Sequence, residues 1–151
     1  MPPALPIEGG CRCGRVRFRI DAAPMFTMAC HCRGCRQMTG SAFSANLAVP
    51  SGALNVTGET AIGGLHGPQI RHHHCDHCKS WLFTRIEPDP GFANVRLGAL
   101  DTPDAFPPFI DTWTDEALPW ATTPARYRYP QFPPAEAFGP LLAEYAALHA
   151  D

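Results

Sequence analysis

Seven cysteines fall into three short patterns: C-x-C at Cys11 and Cys13, C-x-C-x-x-C at Cys30, Cys32 and Cys35, and C-x-x-C at Cys75 and Cys78. An odd number of thiols cannot be closed into disulfides within one chain, so metal ligation is the chemistry these spacings serve best. On an extended strand the two side chains of C-x-C point to one face, with Cα atoms about 6.5–7 Å apart. A C-x-x-C knuckle likewise turns two sulfurs toward one ion. Cys11, Cys13, Cys75 and Cys78 would together complete a tetrahedral four-sulfur zinc site. Such a site would clip together segments distant in the chain, whose closure is entropically costly without a cross-link. Cys30, Cys32 and Cys35 then remain. Three protein ligands and a vacant fourth position form the pattern of a catalytic zinc, in contrast to the closed set of a structural one.

Other partitions of the same residues stay open on spacing alone. Cys32 and Cys35 could join Cys75 and Cys78 in an ordinary zinc ribbon, leaving Cys11, Cys13 and Cys30 over. A histidine, His31, His72, His73, His74 or His77, could close the three-sulfur set into a structural site. The cysteines could also be free buried thiols, which proteins tolerate well.

The rest of the composition sets the frame for these sites. A chain of 151 residues fits one domain with room for a core. Seventeen prolines and thirteen glycines against 17% charged residues indicate a loop-rich, mainly β fold, to which metal ligation would add folding energy. The formal charge of −2 argues against a general nucleic-acid binder. No charged segment followed by an apolar stretch directs the chain to an oxidising compartment, and no apolar run approaches the length of a membrane span. A soluble, cytoplasmic protein is expected.

Period-two patterning places the strands. In "GGCRCGRVRFRI", Val16, Phe18 and Ile20 alternate with Arg15, Arg17 and Arg19, a half-buried strand with a basic outer face. "SAFSANLAVP" and "ALNVTGE" read as two strands of a hairpin or meander around Pro50, Ser51 and Gly52. "QIRHHHC", the run after "CDHC" into "SWLFTRI", and "ANVRLGAL" supply further strands. The stretch 101–134, rich in proline and aromatics, reads as ordered loop. A tail (1–8), a zinc-binding domain (9–134) and a C-terminal helical segment (135–151) are the expected divisions. The helix is expected to begin at Pro140, a favourable first-turn residue. Its stripe of Leu141, Leu142, Tyr145 and Leu148 would pack on the domain or, alternatively, make a homodimer contact.

Taken together, "GGCRCGRVRF", "CHCRGCRQMTGSAF" and "CDHCKSWLF", continued by "LGALDTP" and "DTWTDEALPW", closely resemble the glutathione-dependent formaldehyde-activating enzyme family, which shares its domain with centromere protein V. The resemblance runs from about Gly9 to Pro130. It implies a β-tent fold of stacked antiparallel sheets with two zinc ions per chain, one structural and one catalytic. Cys11, Cys13, Cys75 and Cys78 match the structural set, and Cys30, Cys32 and Cys35 the catalytic set. It departs from the family where Lys79 follows Cys78, a place usually held by glycine.

The implied chemistry is that of a carbon–sulfur lyase, joining a thiol such as glutathione to formaldehyde or cleaving the S-hydroxymethyl adduct. Arg33, Arg36, Thr39 and Ser41 are the candidate substrate contacts. Trp113 and Trp120 either wall the pocket or pack in the core. The reading from a different class is a non-catalytic zinc module that binds protein or nucleic acid through the arginine face of the first strand.

Overall fold

The computed structural model describes residues 4–64 and 67–150. Strands β1 (Ile7–Gly10), β2 (Arg17–Ile20), β3 (Phe26–Cys30), β4 (Ser44–Pro50), β5 (Leu54–Thr57) and β6 (Thr60–Gly63) make up the first half, with helix α1 (Arg33–Thr39) between β3 and β4. The second half adds β7 (Ile70–Cys75), β8 (Trp81–Ile86), β9 (Phe92–Arg96), β10 (Ile110–Thr112), β11 (Tyr127–Arg128) and the terminal helix α2 (Ala135–Leu148). They form a three-stranded sheet in the order β1-β2-β5 and an eight-stranded sheet in the order β11-β10-β3-β4-β9-β8-β7-β6.

Side chains alternate across each strand, so each face of the large sheet is written at every second residue. Leu47 and Val49 of β4, Phe83 of β8, and Ala93 and Val95 of β9 turn to one face. There they form a single buried cluster with Phe18 and Ile20 of the small sheet and Val16 just before it. The opposite face is divided. At one end α2 lays Leu141 and Tyr145 over Phe26, Ala48, Phe109 and Ile110. The other end stays uncovered and carries the site described below.

Several expectations need correction. The proposed hairpin of β4 and β5 does not form, because β5 pairs with β2 while β4 pairs with β3 and β9. The sheets are not wholly antiparallel: β10 runs parallel to both β3 and β11. These two short strands lie in the stretch read as loop, since three and two residues are too few to show a period. β1 begins at Ile7, within the expected tail, and pairs with β2. Helix α2 begins at Ala135, so Pro140 lies inside it. Its missing N–H falls in the second turn, and Leu141, Leu142 and Ala143, good helix formers, carry the helix on after it. The outer arginines do not form a free cationic face: Arg17 pairs with Asp101, and Arg19 with Asp21 at 2.5 Å. Among the described residues, no helix is long and apolar enough to cross a membrane.

Candidate metal centres and cavity

The seven sulfurs gather into two groups. Those of Cys11, Cys13, Cys75 and Cys78 lie within 4.8 Å of one another, as do those of Cys30, Cys32 and Cys35. Neither group includes a histidine nitrogen among the described residues. The ribbon partition therefore does not occur.

The four-sulfur group is built from two turns. Gly14 N donates to Cys11 O at 3.1 Å, and Lys79 N to Cys75 O at 3.0 Å. Cys11 and Cys13 sulfurs stand 3.5 Å apart, and Cys13 and Cys75 sulfurs 3.7 Å apart. Four sulfurs around one zinc at its usual bond length are separated by about 3.8 Å, so the set is compatible with zinc. Lys79 takes the left-handed backbone, with φ of 60°, where the resembling family usually has glycine. The turn geometry is therefore retained with a residue that adopts it at some cost. The Ser80 hydroxyl beside Cys78 holds that thiol down to about 5, well below the ordinary range.

The three-sulfur group sits where β3 hands over to α1. Cys30 ends the strand, Cys32 caps the helix with its sulfur accepting from Cys35 N at 3.3 Å, and Cys35 lies in the first turn. Gly40, with φ of 61°, closes the helix in the left-handed conformation that glycine adopts without penalty. The Cys32 and Cys35 thiols, together with burial, push the Cys30 thiol far up. Cys35 is also raised: its bond with Cys30 lowers it, but Cys32 and burial outweigh that. Three thiols so placed cannot all ionise unless a cation joins them.

His31 does not face this group as a ligand. It is wholly buried, with Nε2 3.3 Å from Asp111, its ring tilted on Phe43, and its backbone N–H donating to Thr112 O at 3.0 Å. Asp111, also fully buried, pairs with Arg128 at 2.8 Å and accepts from Thr123 at 2.7 Å. This network pins the Cys30–Cys32 segment to β10. His72 and His73 are tied to Thr84 and Thr60, and His74 stacks on Trp81.

The three sulfurs open into a cavity of about 540 Å³. Its floor is the uncovered face of the large sheet, and five neighbouring strands each contribute an i, i+2 pair: Met28 and Cys30, Ser44 and Asn46, Asn94 and Arg96, Thr84 and Ile86, Ile70 and His72. Registers Cys30↔Ser44, Met28↔Asn46, Asn46↔Arg96 and Thr84↔Asn94 set these side by side. Trp113 and Phe132, edge to face at 5.8 Å, form the rim. Trp113 is held at φ of 57°, a strained backbone of the kind that clusters at ligand sites. Arg96 lies flat on Trp81, 3.7 Å from the ring centroid, and its Nη2 donates to Thr84 at 2.9 Å. Burial draws this guanidinium down to about 10, against the pull of the Cys35 and Cys30 thiols.

The four sequence candidates for substrate contact divide between places. Arg33 lines this cavity, and its backbone N–H donates to the Glu116 carboxylate at 2.5 Å. Thr39 and Ser41 line a second cavity of about 730 Å³, which shares only Trp81 and Arg96 with the first. The Thr39 hydroxyl is spent on Cys35 O at 2.8 Å. Arg36 lines neither cavity and Trp120 is 71% exposed, whereas Trp113 does line the first. Sequence reasoning missed Ser44, Asn46, Thr84 and Arg96. A signal existed: in "SANLAVP" and "ANVRL" polar residues occupy the positions opposite a core face, in strands short of turn residues.

A profile of the family described as glutathione-dependent formaldehyde-activating enzyme matches residues 6–116. A Halomonas elongata protein named "Putative glutathione-dependent formaldehyde-activating enzyme" is 31% identical over 111 residues, spanning 68% of this chain and 70% of its own. A crystal structure of a Rhodobacter sphaeroides protein superposes with a TM-score of 0.52 at 19% identity, covering 62% of this chain and 87% of that one; this likeness is one of fold. Matching profile, relative and cysteine geometry agree: the chain belongs to the glutathione-dependent formaldehyde-activating enzyme family.

Proposed function

We propose that the chain is a zinc-dependent enzyme of carbon–sulfur lyase type that makes or breaks the bond between a glutathione-type thiol and a small aldehyde. The observation that carries this reading is the three-sulfur group of Cys30, Cys32 and Cys35 facing a cavity, with no fourth protein ligand among the described residues. Cys11, Cys13, Cys75 and Cys78 would hold a second, structural zinc. A zinc ion held by the three sulfurs supplies Lewis acidity and keeps a substrate sulfur as thiolate at neutral pH.

The chain's own groups do the rest. Three thiolates around Zn²⁺ leave a net charge of −1, which favours a thiol over water; the Arg96 guanidinium in the same cavity offsets that charge and the further one brought by a substrate thiolate. The Ser44 hydroxyl hydrogen-bonds Cys35 and holds its thiol against the rise caused by its neighbours. Trp113, Phe132 and Trp81 limit water around the reacting atoms. The His31–Asp111 contact fixes the loop from below. In cleavage, the carbon–sulfur pair stays on sulfur and the hydroxyl proton of the adduct leaves to water, giving aldehyde and thiolate. A cytoplasmic location, where such thiols are abundant and cysteines stay reduced, fits this chemistry.

The non-catalytic binding module loses its main support, because both arginines of β2, Arg17 and Arg19, are already paired with carboxylates. The test is exchange NMR of ¹³C-formaldehyde with glutathione. Zinc-loaded protein should accelerate exchange between free aldehyde and adduct, and Cys30→Ser should remove the acceleration. Exchange at the uncatalysed rate with both zinc sites filled would refute the enzyme reading.

A further inference from the structure

Asn46 is 2% exposed and stands on the cavity floor. Its Nδ2 donates to Ser44 O and to Ser44 Oγ, each at 3.0 Å. A carbonyl can only accept, so this pair of contacts fixes which end of the carboxamide is which. The oxygen therefore points away from Ser44, and it has no hydrogen-bond partner among the described residues, although it is fully enclosed. A buried acceptor left unpaired costs stability and calls for a partner from outside the fold. Ser44 faces Cys30 across the β3–β4 ladder, and Asn46 follows on the same face about 6.5–7 Å along the strand. Asn46 and the three cysteines line the same cavity.

We propose that Asn46 is a specificity residue of the three-sulfur site, its Oδ1 accepting a hydrogen bond from a hydroxyl that the ligand carries within one or two carbons of its sulfur. The ligand class is thus a hydroxyl-bearing thiol or thiol adduct, such as a hemithioacetal, in preference to a thiol with an alkyl chain of the same size. Asn46 also joins recognition to the sulfurs through Ser44, which accepts from its Nδ2 and pairs with Cys30 across the β3–β4 ladder. In the reaction its task is to aim the hydroxyl while the carbon–sulfur bond breaks. It takes no proton. This inference rests on the reading of Cys30, Cys32 and Cys35 as a site for sulfur ligands.

The experiment is a visible-spectrum titration of the cobalt-loaded protein with 2-mercaptoethanol and with propane-1-thiol, which differ by hydroxyl against methyl. Asn46→Leu removes the acceptor, and Asn46→Asp keeps one. Because the two thiols ionise differently, the measured quantity is the ratio of their affinities in each variant. The wild-type ratio should exceed that of Asn46→Leu by roughly five- to tenfold, the worth of one hydrogen bond. Asn46→Asp, which keeps an acceptor at that position, should retain more of the wild-type ratio than Asn46→Leu does. Equal ratios in wild type and Asn46→Leu, with both thiols binding, would overturn the role of Asn46 and leave the sulfur-ligand reading standing. No spectral change with either thiol in the wild type would overturn both. If Asn46→Leu does not fold, a loss of the ratio in Asn46→Gln, whose longer arm displaces the oxygen, supports the proposal and its retention there contradicts it.

Discussion

The two cysteine groups use the same atoms toward opposite ends. The four-sulfur group joins the turn before β2 to the turn between β7 and β8, with Cys11 and Cys75 buried and Cys13 exposed. An ion held there would fasten the small sheet to the β7–β8 end of the large one and leave no position for a further ligand. The three-sulfur group lies within a single strand–helix junction, so it ties no distant segments together, and it faces a cavity with a polar floor. Closure and reach mark a fastening; a local, incomplete set beside a cavity marks a binding site. The predictions below test that contrast.

The largest effect is expected from Cys75→Ser. Losing one of four ligands forfeits metal-linked folding energy and lengthens the loop that folding must close. Melting should fall by about 10 °C or more, a loss of several kcal/mol for a chain this size. Cys32→Ser should instead leave the melting temperature within a few degrees, with about one metal ion fewer per chain. Equal destabilisation by the two would erase the distinction. Thermal melts with metal analysis on both variants measure it.

Next comes pH. Metal binding displaces thiol protons, so affinity falls on acidification at any such site. Both shifted thiols of the three-sulfur group, Cys30 and Cys35, are raised, whereas in the four-sulfur group Cys13 is raised to about 11 but Cys11 is lowered and Cys78 is lowered to about 5. The three-sulfur site therefore carries more protons when free and releases more on binding, which makes its affinity the steeper function of pH. As pH falls from about 8 toward 6, this site should empty first. Chelator competition followed by metal analysis across that range checks the order; earlier loss from the four-sulfur site would contradict it.

Much of this contrast could be read from the sequence, and the reason is local. Sulfur spacing within C-x-C and C-x-x-C depends only on a few residues of backbone, so the three motifs could be read as metal-ligating without knowing the fold, but which of them share an ion was settled only by the folded chain. The polar floor was not. Asn46, Arg96 and Thr84 meet only through the registers of β4, β9 and β8, long-range facts that alternation within one strand leaves undetermined. The parallel strand β10 escaped for a related reason: it has three residues, all buried, and is set by Asp111 docking under His31. Thr39 and Ser41 were placed near the sulfurs by sequence proximity, but α1 and its glycine cap turn them toward the other cavity.

Arg96→Gln sharpens the account at the floor. Removing the cation beside the three-sulfur site should weaken thiol binding about tenfold or more, because the added negative charge then lies buried without compensation. The melting temperature should change far less than in Cys75→Ser. Thiol titration of the cobalt-loaded variant gives the affinity, and unchanged affinity would assign Arg96 to packing on Trp81 alone.

The smallest effect concerns Lys79. Glycine is free of the left-handed penalty of about 1–2 kcal/mol but loses more chain entropy on folding. Lys79→Gly should therefore stabilise the four-sulfur turn by up to about 1 kcal/mol and leave thiol binding unaltered. Denaturant unfolding measures the first, and a destabilised variant would show that the Lys79–Asp76 contact at 3.1 Å outweighs the backbone strain.

The central claim is that the three-sulfur site accepts a fourth sulfur from outside the chain. Cobalt loaded into both sites reports this directly through its sulfur-to-metal charge-transfer bands. Glutathione should strengthen those bands in the wild type, to an extent that falls at acidic pH, and should leave the bands of Cys30→Ser, which retains the four-sulfur site, unaltered. A wild-type spectrum indifferent to glutathione, with both sites filled, would contradict the account.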